Sequence, residues 1–421
     1  MKPMIYSLTP PTRMSGTVRL PASKSISNRA LVIHALAGMR SLPVNLSDCD
    51  DTRVMVSALE SRPYEVDIKA AGTAMRFMTA YMSVSPGEEH VLTGTERMKH
   101  RPIHVLVDAL RRLGADIDYL EEEGFPPLRV RGKALRGGEL SIAGDVSSQY
   151  ISALLMIGPV LERGLTLRLT GCLVSKPYVE MTMGMMKAFG AKVGWTGENV
   201  IRVQPVPYEP RVGYVVESDW SAASYWYEMM ALAPASVTGE LALSGLEERS
   251  SQGDSVVKDI FRSLGVETSF LPSQESEMGK ALLRRGGKHA ARLDYDFSCC
   301  PDLAQTIVVC CCELGVLFRF TGLRTLKIKE TDRIEALKRE CRKLGYVIHD
   351  ERGDTLYWNG ERCEAVMEPV ATYEDHRMAM AFAPAVFRHP GLSIANPEVV
   401  SKSYPSYWEH LRGMGFGISI I

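Results

Sequence analysis

One pattern of apolar and polar positions recurs along the chain. An apolar run at helical spacing ends in a glycine, and a short alternating strand follows. Ala109-Leu-Arg-Arg-Leu-Gly114 opens the series and runs on into an alternating segment through Asp118. Equivalent junctions stand at Gly190, Gly265, Gly345 and Gly415, spaced 70 to 80 residues apart. A weaker copy over 54–68 lacks the glycine. A glycine there can take the left-handed conformation that ends a helix and turns the chain. One such junction means little. Five at a near-constant period predict duplicated αβ units, longer than solenoid repeats, so compact α/β domains are expected. Six units would divide into two similar lobes of three. The Pro-rich stretch 204–210 is predicted to be an exposed connection, and the polar, Gly-rich stretch 271–288 a surface loop.

Charge narrows the function. Lys and Arg total 49 against 50 Asp and Glu, a net charge of −1. A nucleic-acid binder working by bulk positive field is therefore not expected. No apolar run is long enough for a membrane helix, and Pro10, Pro11 and Arg13 interrupt any signal-peptide core. A cytoplasmic protein is expected. None of the nine cysteines forms a C-x-x-C pair, so no metal site is expected and the thiols are read as free. Cys310, Cys311 and Cys312 lie in an apolar stretch and read as small buried hydrophobes.

The basic residues are not scattered. Lys24, Ser25, Ser27 and Arg29 precede the apolar run 30–37, which places hydroxyls and cations at a helix start near Ser25. Such an end attracts anions. Gly72 and Thr73 suggest a second helix start open to close ligand approach. Arg101 precedes a proline that favours an extended backbone. Ser147, Ser148 and Gln149 begin an apolar helix, and Ser175-Lys-Pro-Tyr178 repeats the theme. Lys329, Glu330, Asp332 and Arg333 crowd a short span. On one helical turn, Lys329 and Arg333 would be neighbours, a costly pair unless an anion sits between them. Arg377 opens a buried-looking helix, and Lys402 stands in Ser401-Lys-Ser-Tyr-Pro405. Singly, each motif is also an ordinary helix cap. Together they spend many cations of a near-neutral chain on a small polyanionic ligand or ligand pair, with Arg forks suited to carboxylate and phosphate. The motifs come from both halves, so a site between lobes is expected, with closure when the anions bind.

The motifs Lys-Ser-Ile-Ser-Asn-Arg, Gly-Thr-Ala-Met-Arg, Val-Ser-Ser-Gln-Tyr, Ser-Lys-Pro-Tyr, Lys-Glu-Thr-Asp-Arg, Asp-His-Arg-Met-Ala and Ser-Lys-Ser-Tyr-Pro resemble those of 5-enolpyruvylshikimate-3-phosphate synthases. They occur in that family's order from Lys24 to Pro405. The resemblance implies an α/β fold of two similar lobes, each an inside-out α/β barrel of three βαβαββ units. It implies a C-terminal lobe of 1–22 plus 229–421, joined by the N-terminal strand, and an N-terminal lobe of 23–228. It implies transfer of the carboxyvinyl group of phosphoenolpyruvate to the 5-hydroxyl of shikimate 3-phosphate, with release of phosphate and no metal or cofactor. By position, Lys24, Ser25, Arg29, Ser147, Ser148, Gln149, Ser175, Asp302 and Lys329 correspond to shikimate 3-phosphate contacts. Lys24, Gly72, Arg101, Gln149, Arg333, Arg377 and Lys402 correspond to the phosphoenolpyruvate clamp. Asp302 corresponds to the base and Glu330 to the acid, with Lys24 beside the reacting groups. The length leads to the expectation of a stand-alone monomeric enzyme.

Three positions depart from the family: Ala70 and Thr325, where Asn is frequent, and Phe77, where Pro or Leu is frequent. They bear on substrate affinity and on glyphosate, which competes for the phosphoenolpyruvate site in sensitive members; Gly72 is expected to keep room for it. The related UDP-N-acetylglucosamine enolpyruvyl transferases share fold and chemistry, but many carry a reactive loop cysteine, and none lies between Cys49 and Cys172 here. A binding-only protein would need neither Asp302 nor Glu330.

Overall fold

The computed structural model describes residues 4–171, 173–272 and 278–421. Cys172, one of the thiols read as free, and part of the expected 271–288 loop lie outside the described residues. The chain packs as two units, Met1–Pro21 with Glu217–Ile421, and Ala22–Val216. The helix Trp220–Leu232 lies whole in the first of these, across the 228/229 boundary expected from sequence.

Among the described residues, each unit contains two four-stranded mixed sheets of one topology. In Ala22–Val216, Glu65–Asp67 runs parallel to Glu89–Thr93, with the helix Gly72–Ser83 between them in sequence. Leu128–Arg131 is antiparallel both to Glu89–Thr93 and to Asp116–Tyr119. The same order returns in Gly138–Ala143, Leu165–Thr170, Val200–Val203 and Val193–Gly197. In the other unit, Arg292–Asp296, Leu317–Thr321, Thr355–Trp358 and His349–Glu351 repeat it. The fourth sheet takes its first strand, Met14–Arg19, from the N-terminus and pairs it in parallel with Thr238–Ser244. Ile5–Thr9 is the middle strand of a separate three-stranded sheet, between Ser393–Ala395 and Gly417–Ile420.

The helices, more than the strands, fill the interiors. All 12 residues of Gly72–Ser83 are buried, and Trp220–Leu232 is buried apart from Ser221. Helices apolar on every side belong in a core. Strands such as Leu165–Thr170 alternate buried and exposed positions, with one face inward.

The repeat junctions form as the pattern requires. Gly114, Gly190, Gly265, Gly345 and Gly415 all have positive φ, between 82° and 106°, just past a helix end. In the weaker copy Arg62 takes the same turn at φ 44°, so a side chain bears strain that glycine avoids elsewhere. The 204–210 connection is largely exposed, anchored by Tyr208, whose hydroxyl donates to Met156 O at 2.8 Å. Cys310, Cys311 and Cys312 are buried, whereas Cys299 is exposed. Among the described residues, no helix is long and apolar enough to cross a membrane.

One expectation fails. Within 271–288, Lys280–Arg285 is not a loop but a central strand, antiparallel to both Thr238–Ser244 and Val266–Leu271. Its Ala281 and Leu283 are fully buried. Three apolar residues among polar and Gly-rich neighbours carry little local signal; partners on both edges make the strand. Leu283→Ala is therefore expected to cost about 2–5 kcal/mol of unfolding free energy, as a surface loop position would not. Urea denaturation checks this, and a loss within about 0.5 kcal/mol would contradict the burial.

Candidate active site

In Ala22–Val216, eight of the sequence-predicted residues lie at or near the starts of four helices, and the ninth, Arg101, lies in the bend after Glu96–Lys99. Lys24 opens the helix Lys24–Leu36, whose N-cap is Ser23 rather than Ser25. Its Nζ lies 3.5 Å from Asp51 Oδ2. Arg29, one turn on, is buried at 2% exposure. Its Nε donates to Thr182 Oγ1 at 2.7 Å, its Nη1 to Ser25 O at 2.8 Å and its Nη2 to Ser152 Oγ at 3.1 Å. The guanidinium also lies 5.2 Å from the centre of the Phe77 ring. Phe77, a departure from the family pattern, thus supports a predicted ligand contact. Burial pulls the Arg29 pKa down to about 10, which leaves it charged at neutral pH.

Gly72 begins the second helix. A Cβ there would stand 2.6 Å from Arg101 Nη1 and 2.7 Å from Arg76 Nη1, so its bare backbone is what lets both guanidinium groups approach. Ser147 caps the third helix, Ser148–Ile157, accepting from Gln149 N at 3.4 Å. Gln149 Nε2 donates to Thr73 Oγ1 at 3.1 Å, and Tyr150 OH to Pro102 O at 2.6 Å, which ties the second helix and the Arg101 segment to the third. Ser175 is buried in the left-handed conformation, at φ 54°, just before the fourth helix, Lys176–Ala188. Free N–H groups at helix starts and adjacent cations suit anions.

In the other unit, one guanidinium gathers three carboxylates. Arg333, 1% exposed, donates from Nε to Asp375 Oδ2 at 2.7 Å, from Nη1 to Asp302 Oδ1 at 2.9 Å and from Nη2 to Glu330 Oε2 at 2.8 Å. Arg377 Nη2 lies 3.0 Å from Asp302 Oδ2, and Arg377 Nη1 donates to the Asp302 carbonyl at 3.2 Å. Lys329 Nζ is 3.6 Å from Asp302 Oδ1. Burial pushes the Asp302 pKa up, but Arg377, Lys329 and Arg333 outweigh it and hold the carboxyl well below the usual range. Burial likewise works against the charge of Arg333, and Asp375, Glu330 and Asp302 overcome it, so its pKa rises. Lys402 Nζ donates to Glu374 O at 2.8 Å, beside Asp375.

Two details differ from the sequence reading. Lys329 and Arg333 do not share a helical turn. The helix Arg333–Lys343 starts only at Arg333, capped by Asp332, and the two cations converge on Asp302 instead. Asp302 occupies the 3-10 turn Pro301–Leu303 before the helix Ala304–Leu314. Sequence reasoning assigned no role to Asp375, which is fully buried, binds Arg333 and caps the His376–Phe382 helix by accepting from Arg377 N at 2.9 Å. Its signal was present: an Asp two residues before a buried Arg at a helix start. Thr182, Ser152 and Asp51 were missed for want of any local signal, since Arg29 and Lys24 reach them across the fold. Of the other departures, Thr325 buries its Oγ1 without a hydrogen-bond partner.

The fold and these two cation-rich clusters fit a transferase of small anions, and comparison with known proteins agrees. The model of the family described as EPSP synthase (3-phosphoshikimate 1-carboxyvinyltransferase) matches residues 8–62 and 56–411. A protein from Bacteroides fragilis named 3-phosphoshikimate 1-carboxyvinyltransferase is 56% identical over 418 residues, covering 99% of each chain. One of the same name from Yersinia pestis is 36% identical over 436 residues, covering 96% of this chain and 98% of the other. The solved EPSP synthase of Acinetobacter baumannii superposes with a TM-score of 0.75 at 20% identity, covering 99% and 100% of the two chains. The chain belongs to the EPSP synthase family.

Arg333→Leu is expected to cost about 3–5 kcal/mol at pH 7, because Asp375 would be left charged and buried without its partner. The sign with pH follows from Asp302. A carboxyl held low in the fold stabilises above its unfolded pKa of about 3.9, and that stabilisation fades as pH falls through the folded value. The gap between wild type and variant should therefore narrow below about pH 4. Denaturation curves from pH 7 to 3 check this, and a constant gap would contradict the ion-pair account.

Proposed function

We propose that this chain transfers the carboxyvinyl group of phosphoenolpyruvate to the 5-hydroxyl of shikimate 3-phosphate. The observation that carries the reading is the pair Asp302 and Glu330, bridged by Arg333 and flanked by Lys329 and Arg377. The reaction needs a proton acceptor and a proton donor among cations that hold two anionic substrates. Asp302 takes the proton of the 5-hydroxyl as its oxygen bonds to C2 of phosphoenolpyruvate. The electrons of the C2–C3 double bond take a proton from Glu330, giving a tetrahedral adduct. Phosphate then leaves C2 with the bonding electrons and takes the proton held by Asp302, while C3 returns a proton to Glu330 and the double bond re-forms. Cationic side chains stabilise the phosphate as it departs.

In this reading Lys24, Ser25, Arg29, Ser147, Ser148, Gln149, Ser175, Asp302 and Lys329 bind shikimate 3-phosphate. Arg29 supports the assignment, as a buried cation whose hydrogen bonds end on neutral oxygens. Lys24, Gly72, Arg101, Gln149, Arg333, Arg377 and Lys402 hold phosphoenolpyruvate, with Gly72 leaving space for Arg101. We infer that each unit is an inside-out barrel of βαβαββ modules, a reading supported by buried helices and one-sided strands. With no membrane-capable helix among the described residues, we place the enzyme in the cytoplasm.

Phosphate release from the two substrates tests the reaction. Asp302→Asn and Glu330→Gln should each lower turnover by about 100-fold or more while shikimate 3-phosphate still binds, as followed by calorimetry. Turnover near wild type in either would overturn the proton-transfer roles. Gly72→Ala should raise the KM for phosphoenolpyruvate about 10-fold by displacing the Arg101 guanidinium, with the KM for shikimate 3-phosphate nearly unchanged. Equal changes in both would argue against Arg101 as part of the clamp.

A further inference from the structure

Behind the Asp302 cluster lies a fourth carboxylate. Asp254 sits in the 3-10 turn Gly253–Val256 and is 2% exposed. Its Oδ2 accepts a hydrogen bond from Ser221 Oγ. A hydroxyl has one proton to give, so with that proton on Asp254 the Ser221 lone pairs face outward as acceptors. Arg377 Nη2 lies 3.5 Å from this same Oγ, and 3.0 Å from Asp302 Oδ2. One guanidinium nitrogen is thus shared between Asp302 on one side and the Ser221–Asp254 pair on the other. Tyr225 OH accepts from Arg377 Nη1 at 3.4 Å, further fixing the plane of the fork.

We propose that Asp254, acting through Ser221, is a positioning residue that aims Arg377 and divides its charge, and so sets the base strength of Asp302. The inference rests on Asp302 acting as the base, as argued above. Asp302 faces an opposing demand: the cations that hold the substrates also weaken it as a proton acceptor. Asp254 works against this in two ways. As an anion it repels the Asp302 charge across Arg377, and it draws the guanidinium toward Ser221. Protonated, it does neither, and Arg377 settles fully on Asp302.

Asp254 can change state in the working range. Burial, then Asp302, raises its pKa to about 6, against the pull of Arg377 and Ser221. Among the described residues, the charged and titratable groups that act on it most strongly are Asp302, Arg377 and Asp219, and Cys300 also faces it. Below about pH 6 the protonated form prevails, so Asp302 is a weaker base; above it the ionised form prevails and Asp302 is stronger. The folded pKa lies above the unfolded one. Asp254 therefore favours folding at low pH, and that contribution is lost as pH rises through 6.

The test is kcat against pH from 5 to 8.5 for the full-length enzyme, with carboxyl 13C NMR of the free protein alongside. Wild type should show a three- to tenfold step upward in kcat centred near pH 6, and a carboxyl resonance titrating there. Asp254→Asn should lack both, with kcat on the lower plateau throughout and a smaller change in either KM. Ser221→Ala, which keeps the carboxyl but cuts the link, should lose most of the step while the resonance remains. Asp254→Glu should restore part of it. The proposal is overturned if Asp254→Asn keeps the step, if its kcat falls equally at every pH with the step intact, or if no carboxyl titrates near pH 6 in wild type. Asp302→Asn, assayed in parallel, separates the two readings. An active Asp302→Asn defeats the base assignment and this proposal with it. An inactive one, with an unchanged step in Asp254→Asn, defeats the Asp254 role alone.

Discussion

The carboxylate cluster of the Glu217–Ile421 unit is organised by one buried guanidinium, Arg333. Arg333 has almost no contact with water, and its partner Asp375 has none. Removing such ions from water costs several kcal/mol each, and only close, well-directed contacts offset this. Arg333 supplies them by using its whole fork, at 2.7 to 2.9 Å, on three carboxylates from three separate segments. The turn holding Asp302, the extended approach to Glu330 and the start of the His376–Phe382 helix are thereby tied to one rigid plane. Lys could not replace it, since a single ammonium point charge lacks the flat fork. Asp375 passes the constraint on: the carboxylate that neutralises Arg333 also caps the helix carrying Arg377. The consecutive left-handed residues Tyr373 and Glu374, at φ 52° and 57°, show backbone strain accepted just where Asp375 must be presented.

Arg29 in the Ala22–Val216 unit illustrates the opposite arrangement. It is as deeply buried, yet its hydrogen bonds end on two hydroxyls and a carbonyl, and its face rests on Phe77. Its pKa falls where that of Arg333 rises. Under the proposed function, such a cation, satisfied in hydrogen bonds but not in charge, is a phosphate contact prepared in advance, and little need rearrange when the anion binds. Arg333 differs in that carboxylates of its own unit already meet its charge, and it holds three segments in place.

Much of this was legible along the chain because it is local. The five glycine junctions were readable because left-handed backbone at a helix end demands a particular residue type. Lys24, Arg29, Arg333 and Arg377 were readable because each sits in the first turns of a helix, in a motif with hydroxyl or carboxylate caps. What escaped was made by contacts distant in sequence. Lys280–Arg285 is a strand because it has partners on both edges. Lys329 and Arg333 meet through Asp302, some thirty residues away in the chain, not through helical spacing. Asp254 and Ser221 carry no motif at all, and only the packing of the Trp220–Leu232 helix against the turn at 253–256 brings them to Arg377.

The low pKa of Asp302 looks, at first, like an argument against its being a base. Its cause points the other way. Arg377, Lys329 and Arg333 hold the carboxyl down through their positive charge, although Arg333 also pairs with Asp375 and Glu330. Each anion that binds beside these groups takes up part of their field, and each reduction in that field raises the proton affinity of Asp302. By linkage, whatever strengthens Asp302 on substrate binding must equally make substrate binding depend on the Asp302 charge. A resident strong base among these cations would be protonated or would spoil the anion site by repulsion. A weak base that the bound substrates themselves strengthen avoids both outcomes. Under the proposed reaction, proton abstraction by Asp302 is thereby confined to the complex in which both anions are in place.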